Sequence, residues 1–160
     1  MSKKNTSVLN LKSIFEKNKR ILETYNKFNN NIQHLKNKSF LVAVSGGPDS
    51  LALCALSEYL KLIKKTKIFY VLIDHKIREN SSKEASQVKK LLKKNKIILK
   101  ILINKKKINR NFQSKAREIR YDLLLNFCEK YNIQHILTAH HSDDQIETFL
   151  IRLSRGSGVQ

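Results

Sequence analysis

Phe40-Leu41-Val42-Ala43-Val44-Ser45-Gly46-Gly47-Pro48-Asp49-Ser50 is the stretch on which the fold turns. Its first five residues are apolar without a break, the pattern of a strand buried on both faces. Gly46-Gly47-Pro48 stops the run. Pro48 suits the first position of a helix, where its missing N–H is no loss. A helix then reads from Asp49 to Lys64, with Leu53, Leu56, Leu60 and Ile63 along one side. The chain has only 4 Gly and 1 Pro, so two Gly and the Pro inside one bend mark it as special. The other two glycines fall in Arg155-Gly156-Ser157-Gly158.

Outward from this unit the same alternation repeats. Ile68 to Ile73 is a second apolar run, and Ser81 or Ser82 opens a helix striped by Val88, Leu91 and Leu92, with Glu84 in its first turn. Ile97 to Ile103 reads as a third strand, followed by a long helix from Asn109 or Asn111 to Lys130. His135 to Ala139 reads as a fourth strand, and Asp143 to Leu153 as a last helix with Ile146, Phe149, Leu150 and Leu153 on one face. Upstream, Leu11, Ile14, Phe15, Ile21, Leu22 and Tyr25 mark an amphipathic helix from Val8 to Phe28 with a break near Asn18. Asn29-Asn30-Asn31 reads as a loop and Ile32 to Leu35 as a short helical turn. Strands alternating with long helices predict an α/β fold, a parallel sheet with helices on both faces, preceded by an N-terminal helix. The boundaries expected are a helical extension over 1–38 and a nucleotide-binding domain over 39–160.

Ligands of open α/β sheets bind outside the carboxyl ends of the strands, which is where the bend falls. Adjacent glycines permit close backbone approach. Loop amides and a helix N-terminus make an anion site, with Ser45 and Ser50 adding hydroxyls. The bend is not a Walker A loop, since it has no Gly-Lys-Ser/Thr, and it lacks the Gly-x-Gly-x-x-Gly of dinucleotide folds. Asp49 stands where a lysine would otherwise be, and a carboxylate beside phosphates calls for Mg²⁺ between them. The plainer alternative is a tight βα turn with an aspartate in the first turn of its helix.

Two further constellations bear chemistry. Arg117, Arg120, Tyr121 and Leu124 share one helix face at i, i+3, i+4 and i+7, an arginine fork suited to phosphate or simply a solvated basic face. His140-His141-Ser142-Asp143-Asp144-Gln145-Ile146-Glu147 crowds three acids and two histidines into eight residues, in a chain with only 13 acids. His140, Asp144 and Glu147 fall at i, i+4 and i+7. His-Glu-x-x-His is absent and the cysteines are remote, so Mg²⁺ or a cationic amine suits these carboxylates better than zinc. Asp143 and Asp144 also fit an acidic first turn that complements its own helix dipole.

Lys+Arg number 32 against 13 Asp+Glu, a net charge of +19 that favours a polyanionic partner such as nucleic acid. The chain is also rich in Lys, Ile and Asn, so part of that charge is attributable to A/T-rich coding. No apolar run approaches the roughly 20 residues that span a bilayer, and Met1-Ser2-Lys3-Lys4-Asn5 leads into no secretory signal. The 2 cysteines, Cys54 and Cys128, lie within helices as small buried residues and form no disulfide framework. A cytoplasmic location is expected.

The motifs, taken in order, resemble a known family. Ser45-Gly46-Gly47-x-Asp49-Ser50 after a strand looks like the PP-loop of the N-type ATP pyrophosphatases. Ile73-Asp74-His75-Lys76-Ile77-Arg78-x-x-Ser81, Ala116-Arg117-x-x-Arg120-Tyr121, Leu137 to Thr148 and Arg152-x-x-x-Arg155-Gly156-Ser157-Gly158 are similar to successive segments of the tRNA(Ile)-lysidine synthetases. Lys76 departs from the small residue, often glycine, usual there. The resemblance implies a ligase that uses ATP and Mg²⁺ to join free L-lysine to C2 of the wobble cytidine of an isoleucine tRNA, through an adenylated base. It implies that Ser45, Gly46, Gly47, Pro48, Asp49, Ser50, Asp74 and His75 bind nucleotide, with Mg²⁺ near Asp49. Asp49, Arg117, His140, Asp144 and Glu147 would act in catalysis. It also implies that 160 residues are the N-terminal portion of such an enzyme. A tRNA thiolase, an amide-forming ligase and an inactive ATP- or RNA-binding fragment are the alternatives. The Cys-x-x-Cys that thiolases often carry is absent, and a homodimer is left open.

Overall fold

The computed structural model describes residues 6–35, 39–76, 79–105 and 112–139. The apolar run at its centre is β1 (Ser39–Val44), and the bend after it leads into α3 (Pro48–Lys64) with Pro48 in the first turn. Ahead of them lie α1 (Thr6–Lys17) and α2 (Lys19–Ile32). Behind them come β2 (Lys67–Asp74), α4 (Ser81–Lys94), β3 (Leu99–Ile103), α5 (Phe112–Tyr131) and β4 (His135–Thr138). The four strands form one parallel sheet in the order β3-β2-β1-β4. The expected helix over 143–153 lies outside the described residues.

β1 and β2 send alternate side chains to two cores. Phe40, Val42 and Val44 of β1 and Ile68, Tyr70 and Leu72 of β2 pack with α1 to α4. Leu41 and Ala43, with Phe69, Val71 and Ile73, pack on Leu124, Phe127 and Cys128 of α5. Burial on both faces is why these strands carry unbroken apolar runs rather than alternation. A buried polar tie joins α3 to β2. Tyr70 donates its hydroxyl to Glu58 at 2.8 Å, and Lys61 Nζ donates to the same carboxylate at 3.2 Å. Burial and the neighbouring Glu58 push the Tyr70 phenol well above its ordinary range.

Three local readings differ from the sequence expectation or sharpen it. The break at Asn18 is real, its side chain accepting from the Ile21 amide as the cap of α2. The Asn29-Asn30-Asn31 stretch is helix, because Tyr25, Phe28 and Ile32 continue one apolar stripe into the core and burial outweighs the weak helix preference of asparagine. Ile97 precedes β3 and instead closes α4: its amide donates to Leu92 O and the Lys96 amide to Lys93 O, a Schellman ending with Lys96 at φ +62°.

The strand order reverses at β1, which has β2 then β3 on one side and β4 on the other. That reversal opens a crevice at the carboxyl ends of the strands. The bend after β1, the Asp74–His75 segment after β2 and Thr138–Ala139 after β4 all face it.

Candidate active site

A cavity of about 770 Å³ occupies the crevice. Ser45 and Ser50 line it from the bend, Asp74 and His75 from the end of β2, and Ser81, Glu84 and Val88 from α4. Arg117, Arg120 and Tyr121 enter from α5. Five of the residues expected from sequence, Ser45, Ser50, Asp74, His75 and Arg117, are therefore brought together. Gly46, Gly47, Pro48 and Asp49 shape the adjoining bend rather than the wall, and Asp49 is exposed in the first turn of α3. His140, Asp144 and Glu147 lie outside the described residues.

Ser50 organises the bend. Its buried Oγ accepts from the amides of Ser45 at 3.3 Å and Gly46 at 3.1 Å, and donates to Gly47 O at 2.9 Å. Ser45 Oγ donates to Ser50 Oγ at 3.1 Å. The bend is thus held by a side chain. The N-terminus of α3 carries no side-chain cap, because its capping residue is Gly47. The positive end of that helix dipole is therefore not answered by a capping side chain.

Asp74 is a fastening. Its Oδ1 accepts from the Lys76 amide at 2.9 Å and Ser81 Oγ at 2.8 Å, and its Oδ2 accepts from Ser82 Oγ at 2.6 Å. Burial works to raise its pKa, but the hydrogen bonds from Ser82, Lys76 and Ser81 outweigh this and hold the carboxyl below its usual range. Ser81 and Ser82, read from sequence as a cap of α4, serve this carboxylate instead, and the capping position belongs to Asn80. Lys76 takes φ +52°, which explains why a glycine suits that position. His75 follows with both ring nitrogens buried and without a hydrogen-bond partner. Burial and the Arg120 charge lower its pKa against the opposing pull of Asp74, which favours the neutral ring.

On α5 the arginines one turn apart both reach the cavity, and Arg117 lies over the Tyr121 ring, 5.8 Å from its centre. Arg120, Ser81 and Glu84 complete the wall; Arg120 was signalled in sequence only by its i, i+3 spacing from Arg117, which fits a solvated basic face equally well. Ser81, Glu84 and Val88 share the i, i+3, i+7 spacing of one helix face.

These features fit a nucleoside triphosphate: a polar bend with room at Gly47, two arginines, and a histidine whose buried ring nitrogens have no partner among the described residues. Among the described residues no three His, Cys, Asp or Glu gather as a metal cage. Magnesium characteristically takes one or two carboxylates and fills its shell with phosphate oxygens and water, so Asp49, in the first turn of α3 beside the bend, fits a metal held jointly with a nucleotide.

A family model described as a PP-loop domain matches residues 17–160. The chain belongs to the PP-loop domain family. This PP-loop chain is similar to the tRNA(Ile)-lysidine synthase of Orientia tsutsugamushi, 39% identical over 137 residues, covering 82% of this chain and 31% of the relative. It is 43% identical over 128 residues to that of Wolbachia pipientis wMel, covering 77% and 29%. It is also 43% identical over 126 residues to that of Mesoplasma florum, covering 76% and 31%. The chain thus spans about a third of the length of these curated relatives. A solved structure, the U34-tRNA thiolase NcsA from Methanococcus maripaludis with its [4Fe-4S] cluster, superposes with a TM-score of 0.71 at 22% identity, over 85% of this chain and 50% of that one. At that identity the likeness is one of fold. No helix among the described residues is long and apolar enough to cross a membrane.

Proposed function

We propose that this PP-loop chain carries the nucleotide-binding part of a cytoplasmic ligase that joins lysine to the wobble cytidine of an isoleucine tRNA. The observation that carries the reading is the single cavity shared by the Ser50-braced bend, the Asp74–His75 segment and the Arg117–Arg120 fork, together with the names of the relatives. In this reading the bend and the α3 N-terminus hold the polyphosphate of ATP, and Arg117 and Arg120 offset the charge that develops on the α-phosphate. Magnesium beside Asp49 would supply further neutralisation of phosphate charge. In this reading His75 hydrogen-bonds the nucleoside through ring nitrogens that have no other partner among the described residues.

The cytidine C2 oxygen attacks the α-phosphate and pyrophosphate leaves. Adenylation turns a poor leaving oxygen into a good one. The lysine amine then attacks C2, and AMP leaves with that oxygen. His140, Asp144 and Glu147 are assigned to lysine or metal in this proposal on sequence grounds alone. Cys54 and Cys128 belong to cores on opposite faces of the sheet, so these two thiols do not pair.

The test is lysine-dependent AMP release, with radiolabelled lysine and an isoleucine tRNA bearing the wobble cytidine. Release is expected to need ATP, tRNA and lysine together. Arg120→Ala and Asp49→Ala are each expected to slow it by about 10² or more, the scale of losing one charge-stabilising group. AMP release that ignores lysine, or sulfur appearing in the tRNA, would overturn the assignment.

A further inference from the structure

Helix α4 contributes Ser81, Glu84 and Val88 to the cavity wall, yet its remaining surface is the most basic among the described helices. Lys83, Lys89, Lys90, Lys93 and Lys94 are all exposed. At 100° per residue they fall within one arc of about 140°, over a length of roughly 16 Å. Glu84, the only acid of the helix, lies on the other flank with the exposed Leu91. Among the described residues none of these five lysines has an ion-pair, hydrogen-bond or ring partner. Lysines elsewhere do: Lys12 pairs with Glu16, Lys61 with Glu58 and Lys115 with Glu118. The five lysines share the solvent side of the helix with no acid among them.

We propose that this lysine face of α4 is a docking surface for the sugar-phosphate backbone of the RNA whose base enters the adjoining cavity. The proposal rests on the tRNA reading above and adds a place to it. An unpaired row of ammonium groups is what non-sequence-specific phosphate contact requires, each contact releasing counterions on binding. One helix would then act twice on the same RNA. Its inner face, over the first two turns, walls the reaction cavity, and its solvent face, about 180° away around the helix, carries the backbone of the same RNA.

The experiment measures binding of the full chain to an isoleucine tRNA transcript across a salt series. One variant changes all five lysines to glutamine, which keeps helix propensity. A charge-matched control changes Lys17, Lys19, Arg20, Lys27 and Lys65 to glutamine, all exposed and remote in sequence from α4. The α4 variant is expected to bind more weakly, with a slope of log K against log salt shallower by about 2 to 4. Arginine at the same five positions is expected to restore binding, and Mg·ATP affinity is expected to stay unchanged. Equal losses in the α4 variant and the control would overturn the surface. So would an unchanged α4 variant, or loss only of binding to vesicles of equal parts phosphatidylserine and phosphatidylcholine. A chain that transfers no lysine but still loses RNA binding in the α4 variant sinks the proposed reaction and supports the docking surface.

Discussion

Gly46 sits at φ +90°, and a Cβ placed on it would lie 2.9 Å from Val88 Cγ2 of α4. Both facts act against any other residue. The backbone angle strains an L side chain, and the obstructing atom belongs to a stiff β-branched neighbour rather than a flexible tip. Gly47 next to it is different. Its φ is −73°, and an added Cβ would meet nothing closer than Ser45 Oγ at 3.8 Å. The fold does not require glycine there, so its openness points to the ligand side of the bend. The two glycines are therefore expected to separate in mutagenesis. Gly46→Ala should lower unfolding free energy by about 1–3 kcal/mol, whereas Gly47→Ala should lower it by no more than about 1 kcal/mol, the usual loss of a glycine cap. Gly47→Ala should nonetheless weaken Mg·ATP binding. Urea unfolding and nucleotide titration on both variants check this, and equal stability losses would contradict it.

The connection from β2 to α4 is held by one carboxylate with three donors, and its consequence is a pH dependence. Because the folded Asp74 has a lowered pKa, its ionised form is favoured by folding. The stability it contributes is present above the ordinary carboxylate value of 3.8 and is lost as pH falls through the lower folded value. Wild type should therefore exceed Asp74→Asn in stability at pH 7, with the difference shrinking steadily below about pH 4. Chemical denaturation at several pH values reads this, and a constant difference down to pH 2 would show that Asp74 acts by shape and not by charge. This connection also marks where sequence reading stops. The order of strands and helices was legible, because apolar runs and helical stripes are local signals. The arginine fork was legible for the same reason, through its i, i+3 spacing. The roles of Ser81 and Ser82 were not, because a serine at a helix start looks the same whether it serves its own backbone or an aspartate seven residues earlier. The helix through Asn29 to Asn31 was hidden since only the α3 surface, distant in sequence, rewards it. Lys65, Lys96 and Asn132 adopt positive φ before the next three strands, at positions where glycine would have announced the turn.

Across the molecule, one apolar cluster runs without a gap from the first helix to the far edge of the sheet. Phe15 of α1 stacks on Tyr59 of α3 at 4.2 Å between ring centres, and Tyr25 of α2 meets Tyr59 edge-on at 4.7 Å. The same cluster continues through Leu60, Tyr70 and Leu72 to Leu92 and Leu99. Helices α1 and α2 thus rest on the outer side of α3, the helix whose N-terminus forms part of the bend. Their packing is coupled to the site through a rigid element and not through any contact with it. Unfolding should accordingly be a single transition in which α1, α2 and the sheet are lost together. Tyr59→Ala empties the space between two rings and should lower stability by about 3–5 kcal/mol. Tyr59→Phe keeps the stacking and should lose less than about 1.5 kcal/mol. Amide exchange adds the decisive readout. In Tyr59→Ala the amides of α1, α2 and α3 should all exchange faster, since all three helices share the emptied site. If only α1 and α2 quicken while α3 and β1 keep their protection, the N-terminal helices are a separate folding unit and the continuity of the core carries no energetic coupling.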